Sequence, residues 1–376
     1  MLSNQLFVVL TPGIGISGWK KHGIHEREMS LFRKSASKNF KIILLSPEKS
    51  AKFSISTDSE NSDISIILFP INRMGFISIR TFREVLRLLS KVQSVEYKRT
   101  FITNQLYGAH IAFVLARLTG AKYLVRMGYD LVKSQKNQVA VSTSGFLKLA
   151  AYYSYQWIFL YFADQIVVSD SAIRKNLFKR KTVILPNFVD FTLWNAKKIR
   201  IGSKLSKLKI YYVGRLEEFK GIGLVVEAIG DLDIEFDVFG EGSDKERLAK
   251  LTTKFGSKVR FHGHSTPSEI LNVIDSEYLS ILPSAWEGHP KVACEAMALG
   301  IPLLIANNSV FDGLVDSENC FTFSRDVQNI KKLLKNCLEG TLDLKYVSQN
   351  AYQFAVQNFS IEQYSSRLVR LVQETS

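Results

Sequence analysis

The stretch SAWEGHPKVACEAMALG, residues 284–300, follows the apolar run Leu279–Leu282 and carries more chemistry than any other segment of the 376-residue chain. Gly288 permits a sharp turn, Pro290 suits a first helical position and Gly300 a helix stop, so the spacing predicts a helix over 290–299. A strand feeding a short helix through a glycine turn is one unit of an alternating β/α fold. The amides at such a helix start attract anions, and Lys291 adds positive charge there. Glu287 lies in the loop before the helix and Glu295 five residues into it, about 7 to 8 Å along the axis from Pro290 at ~1.5 Å per residue. Two carboxylates flanking a diphosphate-sized anion site could each accept hydroxyls, one from a sugar and one from a ribose, which is the outline of a nucleotide sugar.

The same unit recurs along the chain. In the first half, strands are predicted at Leu6–Leu10, Lys41–Leu45, Ile64–Phe69, Thr100–Thr103, Tyr123–Arg126, Gln165–Val168 and Thr182–Leu185. Helices fill the gaps: Thr81-Phe-Arg-Glu84 has the form of a capping box ahead of Phe82, Val85, Leu86 and Leu89, and Leu106–Thr119 stops at Gly120. The polar stretch Phe53–Asp63 reads as an exposed loop. Periodicity lapses through the basic segment Asn195–Lys207 and restarts with strands at Leu208–Val213, Glu235–Phe239, Lys258–Phe261, Leu279–Leu282, Pro302–Ile305 and Phe321–Phe323. Two runs of alternating strand and helix predict an α/β protein of two Rossmann-like doubly wound parallel-sheet domains. The expected division is 1–198 and 199–359, with a C-terminal helix over 360–376 packing back on the first domain and a ligand cleft between the two.

Composition narrows the function. Lys plus Arg is 49 against 35 Asp plus Glu, a formal +14, which calls for an anionic or phosphorylated partner. No segment interleaves aromatics and Arg in a groove-like pattern, so nucleic acid is not the expected partner. Three cysteines, Cys294, Cys320 and Cys337, make no CxxC pair and imply reduced thiols in the cytoplasm. Leu149–Ala163 is uncharged but shorter than the ~20 residues of a spanning helix and rich in Tyr, so it reads as a packed or interfacial helix.

Several motifs mislead. Gly13-Ile-Gly15-Ile-Ser-Gly18 matches GxGxxG, yet the acid that a dinucleotide site needs after the second strand is displaced to Glu48, and Trp19 stands where a Walker lysine must follow. What remains is a glycine turn at a strand end that admits a close neighbour. His22 with His25, His262 with His264, and Asp231 with Asp233 lack further ligands at metal spacing, so no metal site is expected. A second cationic element, Gly214-Arg215-Leu-Glu-Glu-Phe-Lys220-Gly221, follows the first strand of the second domain, where Arg215 and Lys220 could neutralise a departing diphosphate.

With these residues in place the chain resembles the retaining GT-B glycosyltransferases of glycosyltransferase family 4. The resemblance rests on Gly214-Arg-Leu with Lys220-Gly221, Val238-Phe-Gly-Glu-Gly242, Phe261-His-Gly263, Glu287-Gly-x-Pro-x4-Glu295 through Pro302, Pro186-Asn187-x-Val189-Asp190, and Asn358-Phe-Ser360-x-Glu362. It runs nearly unbroken from Val168 to the end and is loose before that. It implies that Arg215 and Lys220, following Gly214, contact the donor diphosphate. Glu287 and the backbone of Gly288, His289, Pro290, Lys291 and Val292 would hold sugar and phosphate, Glu295 the ribose, and the Gly263-His264 backbone the base. Gly15 would approach from across the cleft. Many relatives carry His-Gly-x-Asp after an N-domain strand; here the run is Arg126-Met127-Gly128-Tyr129-Asp130, so Arg126, Tyr129 and Asp130 become the acceptor-side candidates and Asp130 a catalytic one.

The implied activity is metal-independent, cofactor-free, retaining transfer of a hexose or N-acetylhexosamine from a UDP- or GDP-sugar to a glycan or lipid-linked saccharide. The expected setting is bacterial surface polysaccharide: capsule, O-antigen or exopolysaccharide. The basic stretches Lys34–Lys41 and Lys91–Arg99, with the aromatic helix, would suit an anionic membrane surface at the inner face. The alternatives are a non-catalytic glycan- or membrane-binding protein of the same fold, and a nucleotide-sugar epimerase.

Overall fold

Strand β1 (Ser3–Val9) is buried from Asn4 to Val9 on both faces, as a strand inside a parallel sheet must be when helices cover each side. The computed structural model describes residues 3–21, 24–49, 51–72, 77–92, 97–128, 130–132, 143–175, 177–194 and 207–375. Tyr129 and most of the aperiodic Asn195–Lys207 segment lie outside them. The chain forms two compact units, one of Met1–Pro186 with Ile361–Ser376 and one of Asn187–Ser360. The units therefore divide at Pro186/Asn187 rather than at 198/199. The reason is local: the Val189 N–H donates to Phe359 O at 2.7 Å and the Phe191 ring meets Tyr352, which ties this segment to the second unit.

The first unit holds β1, β2 (Phe40–Glu48), β3 (Ser54–Thr57), β4 (Ile64–Pro70), β5 (Tyr97–Thr103), β6 (Lys122–Met127), β7 (Gln165–Val168) and β8 (Thr182–Ile184) in the order β3-β4-β2-β1-β5-β6-β7-β8. All neighbours are parallel except β3 with β4. The predicted loop Phe53–Asp63 thus contains an exposed antiparallel edge strand, whose Ser and Thr alternation gave no apolar signal. A second correction concerns the helix Ile79–Val92: Thr81 lies inside it, and its N–H donates to the Ser78 hydroxyl at 3.0 Å, so Ser78 caps the helix. The helix Ala109–Thr119 ends on left-handed Gly120. Helix Ile361–Thr375 joins this unit through Ser365–Ser35 and Lys34–Glu362 contacts. No helix among the described residues is long and apolar enough to cross a membrane; Leu149–Ala163 belongs mostly to the helix Thr143–Tyr161.

The second unit holds β9 (Lys209–Val213), β10 (Glu235–Phe239), β11 (Lys258–Gly263), β12 (Tyr278–Leu282), β13 (Leu303–Ala306) and β14 (Phe321–Phe323) in the order β11-β10-β9-β12-β13-β14, all parallel. Its core joins Ile210, Tyr212, Val225, Phe236, Val238, Leu279, Ile281, Met297 and Leu304, each at most 1% exposed. Full burial of such a side chain contributes about 1.5–3 kcal/mol. The chain runs outward from β9 in one direction through β10 and β11 and in the other through β12 to β14. Loops from β9 and β12 therefore diverge at a topological switch point, where open α/β sheets bind ligands.

Candidate active site

Three of the sequence motifs are consecutive rungs at the strand ends. The Gly214 N–H donates to Phe239 O at 2.9 Å, and the Gly240 N–H to Gly263 O at 2.7 Å. Gly240 has φ 142°, and a Cβ there would stand 1.9 Å from Gly214 O, so only glycine lets the two loops touch. The loop after β9 then makes the short turn Glu218–Lys220 and meets the loop after β12.

There, Lys220 Nζ donates to Glu287 Oε1 at 2.6 Å, and the Ser284 hydroxyl donates to the same oxygen at 2.7 Å. Both side chains of the ion pair are about one-seventh exposed, at 14% and 15%. The two bonds fall on Oε1, so Oε2 is left to accept from a ligand hydroxyl. Lys220 carries three donors and can hold Glu287 and a phosphate oxygen together. Phe219 and Trp286 stack 5.2 Å apart with rings 7° from parallel and form an aromatic floor beside the pair.

Arg325, which the sequence did not signal, ties the two loops by their backbones. Its Nε donates to Pro283 O at 2.9 Å and Nη2 to Phe219 O at 3.4 Å, while the Ala285 N–H also reaches Phe219 O at 2.8 Å. Burial lowers the Arg325 pKa from its ordinary value. Gly221 is needed for this closeness: with φ 73°, a Cβ would lie 2.3 Å from Pro283 O.

The other predicted residues sit as follows. The helix after the loop is Lys291–Ala298, with Pro290 as its extended N-cap rather than its first helical residue and no side chain capping it. Lys291 lies 5.7 Å over the Phe188 ring. Val292 and Glu295 are half-buried on this helix, and the Glu295 charge adds to burial in raising the Tyr211 pKa. Arg215 is exposed and pairs with Glu217. Gly263 is left-handed and meets Glu241, next to exposed His264. The His289 ring is 5% exposed, packed 4.4 Å from Phe311 and 5.2 Å from Phe359, and its carbonyl accepts from Asn187. Burial lowers its pKa to about 4, so only its backbone faces the loop chemistry.

In the first unit, the Gly15 turn starts the helix Gly15–Lys21, and the close neighbour it admits is the chain itself. A Cβ on Gly15 would stand 2.4 Å from Ser46 Oγ and 2.7 Å from Glu48 Oε1. Ser46 Oγ accepts from the Ile16 N–H at 2.9 Å and Glu48 from the Ser17 N–H at 3.1 Å, while Trp19 is buried on Phe32. Arg126 lies 5.4 Å over the Tyr364 ring, and Asp130 accepts from Gln156 at 3.4 Å. Met127, at the usual imidazole position, is fully buried. Asp231 and Asp233 pair with Lys331 and Lys258, and His262 with Asp237.

Residues 195–354 match the family model of the glycosyl transferases group 1. The matched residues lie within the second unit. Curated relatives include glycogen synthase of Mycobacterium tuberculosis, 25% identical over 47% of this chain and 44% of that protein. Another is the amylovoran biosynthesis glycosyltransferase AmsK of Erwinia amylovora, 28% identical over 36% of this chain and 37% of its own. The chain thus spans less than half the length of either. Among solved structures, HepE of Anabaena in complex with UDP superposes with a TM-score of 0.70 at 15% identity, covering 99% of this chain and 100% of that one. The two parallel-sheet units of this chain have the GT-B fold.

Proposed function

We propose that the protein is a glycosyltransferase that moves a hexose or N-acetylhexosamine from a UDP- or GDP-sugar to a glycan or lipid-linked saccharide, with retention and without an obligatory metal. The observation that carries the reading is the Lys220–Glu287 pair where the β9 and β12 loops meet, within the residues that match the group 1 family model. In the transfer, the bond between the anomeric carbon and the diphosphate oxygen breaks, and the acceptor oxygen bonds on the same face. The acceptor proton passes to the departing phosphate oxygen. Lys220 and Arg215 neutralise the charge that develops on the diphosphate, Glu287 Oε2 holds a sugar hydroxyl and Glu295 the ribose. The backbone of Gly263 and His264 borders the base, and that of Gly288 to Val292 the phosphates. Arg126, Tyr129 and Asp130 stay as acceptor-side candidates. UDP bound to HepE favours a UDP-sugar, and AmsK favours surface polysaccharide as the pathway.

A thermal-shift panel of UDP and GDP, with Mg²⁺ or EDTA, tests the reading, because a ligand of the native state raises the melting temperature. One nucleoside diphosphate should raise it regardless of metal, and Glu295→Ala should weaken that nucleotide about 10- to 100-fold through loss of a charged hydrogen bond. A shift seen with Mg²⁺ alone, or none, overturns the proposal. The anomeric configuration of the product then decides retention.

A further inference from the structure

The helix Thr143–Tyr161 turns a band of aromatic and aliphatic side chains outward where a solvated helix would carry charge. Tyr153, Ile158, Tyr161 and Phe162 are between 44% and 62% exposed. The band is continuous: Tyr153 meets Trp157 at 6.0 Å, Trp157 meets Phe178 at 5.5 Å, and Tyr161 meets both Phe162 and Phe178. From Leu149 to Ala163 the chain holds no charged residue.

Cations rim this band on both flanks. Arg117 Nη2 donates to Phe162 O at 3.2 Å, and Lys181 Nζ donates to Tyr161 O at 3.1 Å and Ala163 O at 3.2 Å. Lys148 is exposed on the helix, and Lys179 and Arg180 are exposed beside Lys181. Among the described residues no carboxylate pairs with any of these five. Several cations elsewhere are neutralised: Arg33 by Asp58, Lys34 by Glu362, Arg247 by Asp244, Arg260 by Asp237. Residues 97–186 hold thirteen Lys and Arg against three Asp, a net of +10 out of +14 for the whole chain.

An uncharged aromatic face within unpaired cations complements one surface in both respects, an anionic lipid bilayer, where Tyr, Trp and Phe favour the headgroup boundary and Lys and Arg the surface charge. We infer that this face docks the protein peripherally on an anionic membrane. The inference deepens the reading of a lipid-linked acceptor but rests on residues apart from the donor site.

Cosedimentation of the full chain with vesicles of phosphatidylglycerol and phosphatidylcholine, or of phosphatidylcholine alone, tests it. Binding should need the anionic lipid and weaken as salt shortens the screening length. Ile158→Asp should weaken it about tenfold, and Lys179→Glu with Arg180→Glu at least about 25-fold, at about fivefold per cation lost. Melting temperature and nucleotide shifts, measured on the same variants, should match the unsubstituted protein. Equal binding to neutral vesicles, no binding to either, or a dimer in solution that Ile158→Asp dissociates would overturn the inference. Loss of the nucleotide shift in the unsubstituted protein would instead overturn the glycosyltransferase reading and leave the docking result standing.

Discussion

Each unit places a glycine turn after its first strand at the sheet's switch point, yet the two turns receive different guests. After β1, Gly15 makes room for Ser46 and Glu48, which fill the helix start with the chain's own acceptors. After β9, the guest is backbone: Gly221 lets Pro283 O approach, and Gly240, just after β10, lets Gly214 O approach. That closeness brings Lys220 and Glu287 together with a carboxylate oxygen to spare. A glycine pattern reports that something comes near, not what it is. The comparison predicts that ligand chemistry concentrates in the second unit.

Four measurements would break or sharpen that difference. The largest effect is expected for Lys220→Ala, which should lower turnover about 10²–10³-fold, the range for losing one donor to developing negative charge, with nucleotide affinity little changed. Near-normal turnover would remove the pair from the chemistry and level the two turns.

The next is a pH effect confined to the second unit. His289 has a folded pKa of about 4 against an ordinary 6.5, because burial disfavours its charged form. The unfolded chain therefore takes up the proton first; stability is intact above pH 6.5 and declines as pH falls towards 4, by about 3 kcal/mol from this residue. Urea unfolding at pH 7 and pH 4.5 should show His289→Leu losing less stability than the unsubstituted protein. Equal losses would mean the ring is not held neutral.

Arg325→Ala should lower turnover about tenfold by releasing the two loops, because small displacements of positioned groups are costly in rate. Arg325→Lys should restore only part of it, since an ammonium cannot reproduce the fork that spans two carbonyls. A loss of stability with unchanged turnover would assign Arg325 to the fold alone.

The smallest effect is expected in the first unit. Glu48→Gln should cost about 1 kcal/mol in stability, as the Ser17 amide and hydroxyl face a weaker acceptor, and should leave nucleotide affinity unchanged. A change in affinity would bring the Gly15 turn back into ligand binding.

Most strands were legible because buried parallel strands are unbroken apolar runs, and the helix stop at Gly120 because left-handed residues favour glycine. The edge strand β3 was not, since both its faces are exposed and all its residues but Ile55 are polar. The cap of Ile79–Val92 was misplaced because Thr81 and Glu84 match the capping pattern, while the hydroxyl that receives the amide is that of Ser78. Glu287 and Lys220 were found from their spacing to glycines and strand ends. Ser284 and Arg325 carry no local pattern, being a small hydroxyl residue and a lone cation after a distant strand.

The sequence by itself determined the two alternating β/α runs, the glycine turns and the residue types able to meet a nucleotide sugar, because periodicity and backbone freedom are local properties. Tertiary structure alone decided that Glu48 fills the first turn, that His289 points into the core, that Arg325 ties the loops, and that cations around the aromatic helix go unneutralised. Each is a contact between segments far apart in the chain, set by the order in which strands lie side by side.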